Sequence, residues 1–574
     1  MKAFLLIFFT LILIANGSLA QWLNANPGAG GQVQHVVCDP NITGRMYLCS
    51  DMEGFYVSDD FGDHWTYKGW EAPFSFVFNI AVEPGNSNRL YLTSSQGLAI
   101  TDNAGNSWRR VEQFNNLSIA TIAVNPKNKN WICFAESWLE TVIGSKQGSA
   151  KIYFSKDHGQ TWQSSTFKSY STDKNVYSIN FHPNENINDV LVANSDGIFV
   201  SNDGFNSWKA HQAPANTKAC QGCDFTPDGK WLYAVYIRND NKTGVYVKKY
   251  NGGDWQELDS DGILQSVNQT HWRPKVWPSS NERKHYVLFG PLGAAGNYND
   301  NSLNEGRFLV EEEKVNGHVN RIFKIQSAAE PFDVGWNAYW NHCRTYQYYP
   351  NGWEVEGITR GVFTMSQQST FRGDAAKPAD WVVNTCHLHK VDNLHKLYRT
   401  NGTASTWVWD IAGIDNYAVM GMGDNGVVES WDNGFSWTQK FAPGMWNVDA
   451  VEIVKGEKTI VLAGRTNGFG GALNQQKGYL YYRELDTQTP TGDWKTVING
   501  VGFSDLKGLD PVLNRIATIQ SDPHKPERVY VGTNYGLYVS ENIFELLANN
   551  PQYNFKSISQ PVIGTTLTRR VQVD

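Results

Sequence analysis

The 574-residue chain carries little charge: Asp, Glu, Lys and Arg make up only 18% of it. It also lacks a basic excess, because 56 acidic residues outnumber 49 basic ones and the net charge is −7. Nucleic-acid binders normally show a basic face, so that class is disfavoured. No apolar run beyond the first fifteen residues is long enough to cross a bilayer as a helix, and membrane insertion is not expected. Cysteine is scarce, at seven, and the odd count leaves at least one thiol unpaired. The phosphate-binding Walker loop, HExxH, GxSxG and dinucleotide signatures are all absent, and no cofactor is expected.

Glycine and aromatics, by contrast, are plentiful: 52 Gly, 22 Trp, 26 Tyr and 28 Phe. That mixture suits many short strands joined by turns and counts against a helical bundle. The chain opens like an export signal. Met1-Lys2 is followed by a twelve-residue apolar run, Phe4 to Ala15, and then by Ser18-Leu19-Ala20 at the spacing a signal peptidase reads. Cleavage after Ala20 is expected, giving a soluble protein that is secreted or periplasmic.

An internal repeat organises most of the remaining chain. Ser58-Asp-Asp-Phe-Gly-Asp-His-Trp65 recurs at Thr101–Trp108, Ser155–Trp162, Ser201–Trp208 and Ser430–Trp437. A short apolar segment led by Gly precedes each copy except the third, as in Gly54-Phe-Tyr-Val and Gly197-Ile-Phe-Val. The octapeptide has the chemistry of a hairpin turn. A carboxylate accepts backbone N–H bonds, glycine supplies positive φ, and tryptophan fills the space between neighbouring sheets. Asp60, Asp102, Asp157, Asp203 and Asp432 are accordingly expected to be turn formers, not acids or bases.

The repeat resembles the Asp-box (BNR) motif of sialidases, sortilin-type receptors and several polysaccharide-degrading propellers. The fold class this implies is all-β: a β-propeller of about ten blade units, in two lobes or in one ring with large insertions. Blades are expected near 31–68, 75–112, 118–165, 175–212, 219–258, 265–312, 386–440, 445–500 and 510–560, with an irregular stretch over 313–385. The domain reading is a signal peptide over 1–20, an N-terminal propeller over 21–370 and a second lobe over 371–574.

Two carboxylates stand outside the repeats. Asp51, in Leu48-Cys-Ser-Asp51-Met-Glu-Gly54, and Asp424, in Gly421-Met-Gly-Asp424-Asn-Gly426, follow a strand at the end opposite the octapeptide turn. The segments Gly30–Pro40, Met46–Tyr56 and Gly413–Val428 resemble the opening and the second catalytic segment of glycoside hydrolase family 74, the xyloglucanases. That resemblance implies a secreted glycosidase in which Asp51 is the base and Asp424 the acid. In an inverting reaction one carboxyl protonates the glycosidic oxygen while the other activates water, across a gap of ~6.5–9.5 Å. The implied partner is a β-linked glucan-type polysaccharide, and a monomer is expected.

Two rival readings use other residues. Seven of the 13 histidines lie between 271 and 395, and Asn341-His342-Cys-Arg344-Thr-Tyr346 places a base, a cation and a phenol at alternate positions. A lyase acting on a uronate needs such a set. Trp336 and Trp340, with His342, Arg344 and Tyr346, are the substrate-binding candidates. Alternatively the propeller is a non-catalytic binding module. Cys38 and Cys49 could pair, and Cys220-Gln-Gly-Cys223 reads as a local disulfide or two buried thiols. Cys386-His-Leu-His389 lacks a clear third ligand, and no metal is expected.

Overall fold

The computed structural model describes residues 33–50, 54–137, 148–170, 174–184, 186–258, 408–423, 426–439, 447–466, 479–488, 493–497, 516–533, 536–548, 550 and 554–558. Between 275 and 400 it describes the backbone of ten strands. The described chain forms ten four-stranded sheets and one two-stranded sheet, all antiparallel and all joined in sequence order. Their spans are 33–67, 77–110, 121–166, 176–210, 217–257, 275–324, 346–383, 386–400, 408–439, 447–496 and 516–557; the two-stranded one is the eighth. Helix is confined, among the described residues, to Ile543–Leu547 and two 3-10 turns. The short helix starts where the Asn542 side chain accepts the N–H groups of Phe544 and Glu545.

The sheets neighbour one another through their first strands. That contact runs from the first sheet to the seventh, and the seventh sheet's first strand, Tyr346–Tyr348, returns to lie against Val33–Cys38. A second row joins the first strands of the ninth, tenth and eleventh sheets. This is propeller architecture. It corrects the expectation of an irregular stretch over 313–385, because that segment holds the last strand of the sixth sheet and all of the seventh. Without an octapeptide, strands there have no turn signature to announce them. The unit expected over 386–440 also divides, into the eighth sheet and the ninth.

Each octapeptide makes the turn between the third and fourth strands of its sheet. In the first, the Ser58 hydroxyl donates to Asp60 Oδ1 (2.8 Å) and accepts the Gly62 N–H (2.9 Å). Asp60 Oδ1 also accepts the His64 N–H at 2.8 Å. The same three bonds recur in the other four copies. The fourth and fifth residues both have positive φ, 62° and 86° at Phe61 and Gly62, as a mirror-image hairpin turn requires. In the second copy the acceptor is Asn103, one residue beyond Asp102. Asp102 instead pairs with Arg89, so its expected role as the turn acceptor is corrected. The reason is geometric: the acceptor must sit two residues after the hydroxyl, and in this copy that position is Asn103.

Packing is laminar. Among the described side chains, adjacent sheets enclose apolar clusters between them, such as Tyr47, Cys49, Phe55, Phe74, Val77 and Ile80 between the first and second. Strands buried on both faces read as unbroken apolar runs, as in Met46–Cys49 of the second strand. Octapeptide tryptophans plug this stack: Trp65 and Trp437 are 4% and 1% exposed.

The expected Cys38–Cys49 pairing fails. Both are buried on adjacent strands, but Cys38 faces Met46 and Cys49 faces His35, so they are three ladder positions apart. They also belong to clusters on opposite sides of the sheet. At ~3.4 Å per residue the separation exceeds the ~7 Å Cα limit for a disulfide. Cys133, Cys220 and Cys223 are likewise buried and free, and burial pushes their thiols upward.

A final regularity concerns the first strands. Pairing slips by one residue near the start of the first, second, fourth, fifth, ninth, tenth and eleventh sheets, and again at Gln221 in the fifth. The residues left out of the ladder there are Gln34, Phe78, Tyr177, Lys218, Trp409, Asp449 and Ala517. Such bulges bend a strand and re-aim its side chains.

Candidate functional site

The hairpins between second and third strands lie at the end of each sheet opposite the octapeptide turns, beside the bulges. In the first sheet, Met46–Ser50 leads into Asp51, Met52 and Glu53, and Phe55–Ser58 leads out. Asp51 itself lies outside the described residues. Its frame is well defined. The Ser50 N–H donates to the Gly54 carbonyl (2.9 Å), and the Gly54 N–H donates to the Ser75 carbonyl (2.7 Å). Gly54 has φ +78°, and a Cβ there would stand 2.9 Å from the Gly69 Cα. The connection 68–76 therefore clamps the base of the hairpin, and only glycine allows the approach.

Asp424 lies outside the described residues as well. It belongs to the corresponding hairpin of the ninth sheet, between Tyr417–Met422 and Gly426–Ser430. Met422 pairs with Gly426 across it, and Gly426 has φ 66°. Gly421 packs so tightly on the tenth sheet that a Cβ would meet the Val448 carbonyl at 2.8 Å. The two hairpins thus share position in their sheets and glycine at the return.

The hairpin of the fourth sheet shows what an aspartate can do here for structure alone. Asp196 Oδ2 accepts the Ser169 hydroxyl (2.5 Å) and the Tyr170 N–H (2.7 Å). That carboxylate tethers the connection from the third sheet and is not aimed at solvent chemistry.

The rival lyase set is placed only in one residue. Tyr346 begins the first strand of the seventh sheet, whereas His342, Arg344, Trp336 and Trp340 lie outside the described residues. Of the Cys386-His-Leu-His389 run, the backbone is a strand, Cys386–Val391. No group of three metal-binding side chains occurs among the described residues.

Electrostatics remove two of the turn aspartates, Asp157 and Asp203, from acid–base work near neutral pH. The carboxyls of Asp157 and Asp203 are held at about 2. For Asp203 the Ser207 hydroxyl and N–H are the main cause. For Asp157 desolvation pushes upward, and bonds from Thr161, Ser155 and Gln160 outweigh it. Glu452 is pushed the other way by burial, with the charge of Asp410 adding to the rise. It accepts the Ser521 N–H (2.9 Å) and hydroxyl (2.5 Å) from the next sheet, which makes it a clasp between sheets.

Exposed aromatics mark this end of the molecule. Trp70 is 85% exposed, edge-on to Tyr67 at 5.4 Å, and follows Gly69, the residue against Gly54. Tyr170 is 76% exposed. Sequence reasoning singled out neither. Trp70 follows the octapeptide Trp65 by five residues, and its position outside the repeat was the available signal.

Up-and-down four-stranded sheets joined through their first strands, with laminar cores between them, define a β-propeller protein. Residues 53–165 and 150–322 match the family profile described as Sortilin, neurotensin receptor 3. Among solved structures, an ancestral GH74 enzyme is similar over 95% of this chain and 72% of its own, at 27% identity and a TM-score of 0.75. A GH74 enzyme of Niastella koreensis (16% identity, 93% of this chain and 86% of its own) and the GH74 xyloglucanase of Xanthomonas campestris (13%, 94% and 88%) each give a TM-score of 0.50. No curated protein matches by sequence. The chain is a propeller that resembles glycoside hydrolase family 74.

Proposed function

We propose that this protein is a glycoside hydrolase acting on a β-linked glucan, with Asp51 as base and Asp424 as acid in an inverting mechanism. The observation that carries the reading is the similarity to the ancestral GH74 enzyme across nearly the whole chain. The shared hairpin position of the two aspartates supports their pairing in one site, and the base and acid roles follow the resemblance to the family. Asp424 donates its proton to the departing glycosidic oxygen. Asp51 removes a proton from water as it attacks the anomeric carbon from the opposite face. Room for that water sets the ~6.5–9.5 Å separation of the two carboxyls. The acid must hold its proton near neutral pH, which a desolvated setting supplies. Trp70, beside the Asp51 hairpin, offers a flat apolar face to a sugar ring. Export after Ala20 would bring the enzyme to an insoluble or polymeric substrate, and division near residue 370 would set the two hairpins on different lobes.

The test is cleavage of xyloglucan, mixed β-glucans and the uronate-containing polysaccharide ulvan, with the product anomer followed by NMR and each aspartate changed to Asn. The amide keeps the shape but neither carries the proton nor activates water, so turnover falls ~10²–10⁴-fold with the fold intact. A product carrying an unsaturated uronate, or full activity in both Asn variants, would refute the reading. The first of these outcomes would move attention to His342, Arg344 and Tyr346.

A further inference from the structure

We infer that Trp409, with Ile411 beside it, forms a stacking platform for a neutral sugar ring on the Asp424 side of the site. The inference rests on the glucanase reading above and adds a binding residue to it. Its basis is the recurrent bulge. Of the residues left out of the ladder, Gln34, Phe78, Tyr177, Gln221 and Asp449 are only 2–7% exposed, and Lys218 is an exposed charged side chain that bonds Asn241. Trp409, the largest of the set, is 44% exposed. Ala517 is half-buried and too small to form a platform.

Position makes that exposure meaningful. Val408 pairs with Met422, two residues before Asp424, and the ladder then skips Trp409 to resume at Asp410 and Gly421. Trp409 therefore sits at the hairpin end of its sheet, next to the turn that carries Asp424. Its neighbours on the strand extend the apolar surface: Val408 is 45% and Ile411 58% exposed. A contiguous apolar patch left in water marks an interaction site. Asp410, the one charged residue within this stretch, turns away and accepts the Val451 N–H at 3.0 Å through Oδ2. The strand thus offers an indole and branched alkyl groups and no cation to a carboxylate. That chemistry suits the axial C–H face of a β-linked neutral pyranose and not a uronate.

The experiment uses the full chain and xyloglucan oligosaccharides, with kinetics and titration calorimetry on the Trp409→Ala, Trp409→Phe and Ile411→Ser variants. Trp409→Ala should raise KM and weaken binding about 10-fold or more while kcat stays within about 2-fold. Trp409→Phe should restore most of the loss, and Ile411→Ser should weaken binding several-fold. Unfolding midpoints should stay close to the parent's. An unchanged KM in Trp409→Ala, or a Phe variant no better than Ala, overturns the platform while leaving the glucanase reading in place. If Trp409→Ala fails to fold, unchanged binding in Ile411→Ser overturns it alone. If the parent protein neither binds nor cleaves any β-glucan, both readings fall together.

Discussion

Gly54 and Gly85 form a natural control pair. Their backbones are nearly the same, with φ +78° and +79°, but their surroundings differ. A Cβ on Gly85 meets nothing within 4 Å, while one on Gly54 stands 2.9 Å from the Gly69 Cα and 3.6 Å from the Gly69 and Phe74 carbonyl oxygens. Alanine at either site bears the left-handed penalty of ~1–2 kcal/mol. At Gly54 it must also push the hairpin and the 68–76 connection apart, an overpacking cost of ~1–3 kcal/mol. Gly85→Ala should therefore lose about 1 kcal/mol and Gly54→Ala about 3 kcal/mol, read as the difference in urea unfolding. The displaced segment carries Asp51, and misplacing a reacting group by ~1 Å can cost ~10²-fold in rate. Under native conditions Gly54→Ala should accordingly lose more than about 10-fold in kcat on xyloglucan while Gly85→Ala retains it. Equal destabilisation of the two variants would refute the packing argument. A large stability loss with normal kcat would refute the link between the clamp and the hairpin.

Two further outcomes concern buried and turn charges. Arg483 and Glu429 form an ion pair of 2.7 Å with side chains 1% and 0% exposed, and Arg483 lies between the Trp431 and Trp494 rings. Arg483→Met strands a buried carboxylate and should cost ~3–5 kcal/mol in urea unfolding, whereas adding Glu429→Leu should recover much of it; a single-variant loss below about 1 kcal/mol would defeat this. The carboxyls of Asp157 and Asp203, held at about 2, lie below their unfolded value of ~3.9. Between those values the unfolded chain binds more protons, so stability is full above pH ~4 and falls as pH drops toward 2. Asp157→Asn should keep the turn, as Asn103 does in the second copy, and flatten that fall; an unchanged pH profile would count against the assignment.

Local chemistry was readable in the chain because it closes within a few residues. The octapeptide's hydroxyl, its acceptor two positions on and the N–H groups four and six positions on all lie in one turn, so the repeat alone announced blades and marked Asp60, Asp157, Asp203 and Asp432 as turn formers. Even its one error, Asp102 for Asn103, was a slip of a single residue within the motif. The strands and Gly-led returns that flank Asp51 and Asp424 were also legible. Tertiary structure decided what depends on distant neighbours. The seventh sheet, lacking an octapeptide, became recognisable only where Tyr346–Tyr348 meets Val33–Cys38. Ladder register and opposite faces kept Cys38 from Cys49. Trp65 and Trp70 are five residues apart, yet one is 4% and the other 85% exposed. Sequence spacing specifies a turn, but whether a tryptophan is core or contact surface depends on what folds over it: Val36, Met46, Leu48 and Tyr56 of the same sheet cover Trp65, while Trp70, in the connection beyond the sheet, is left in water.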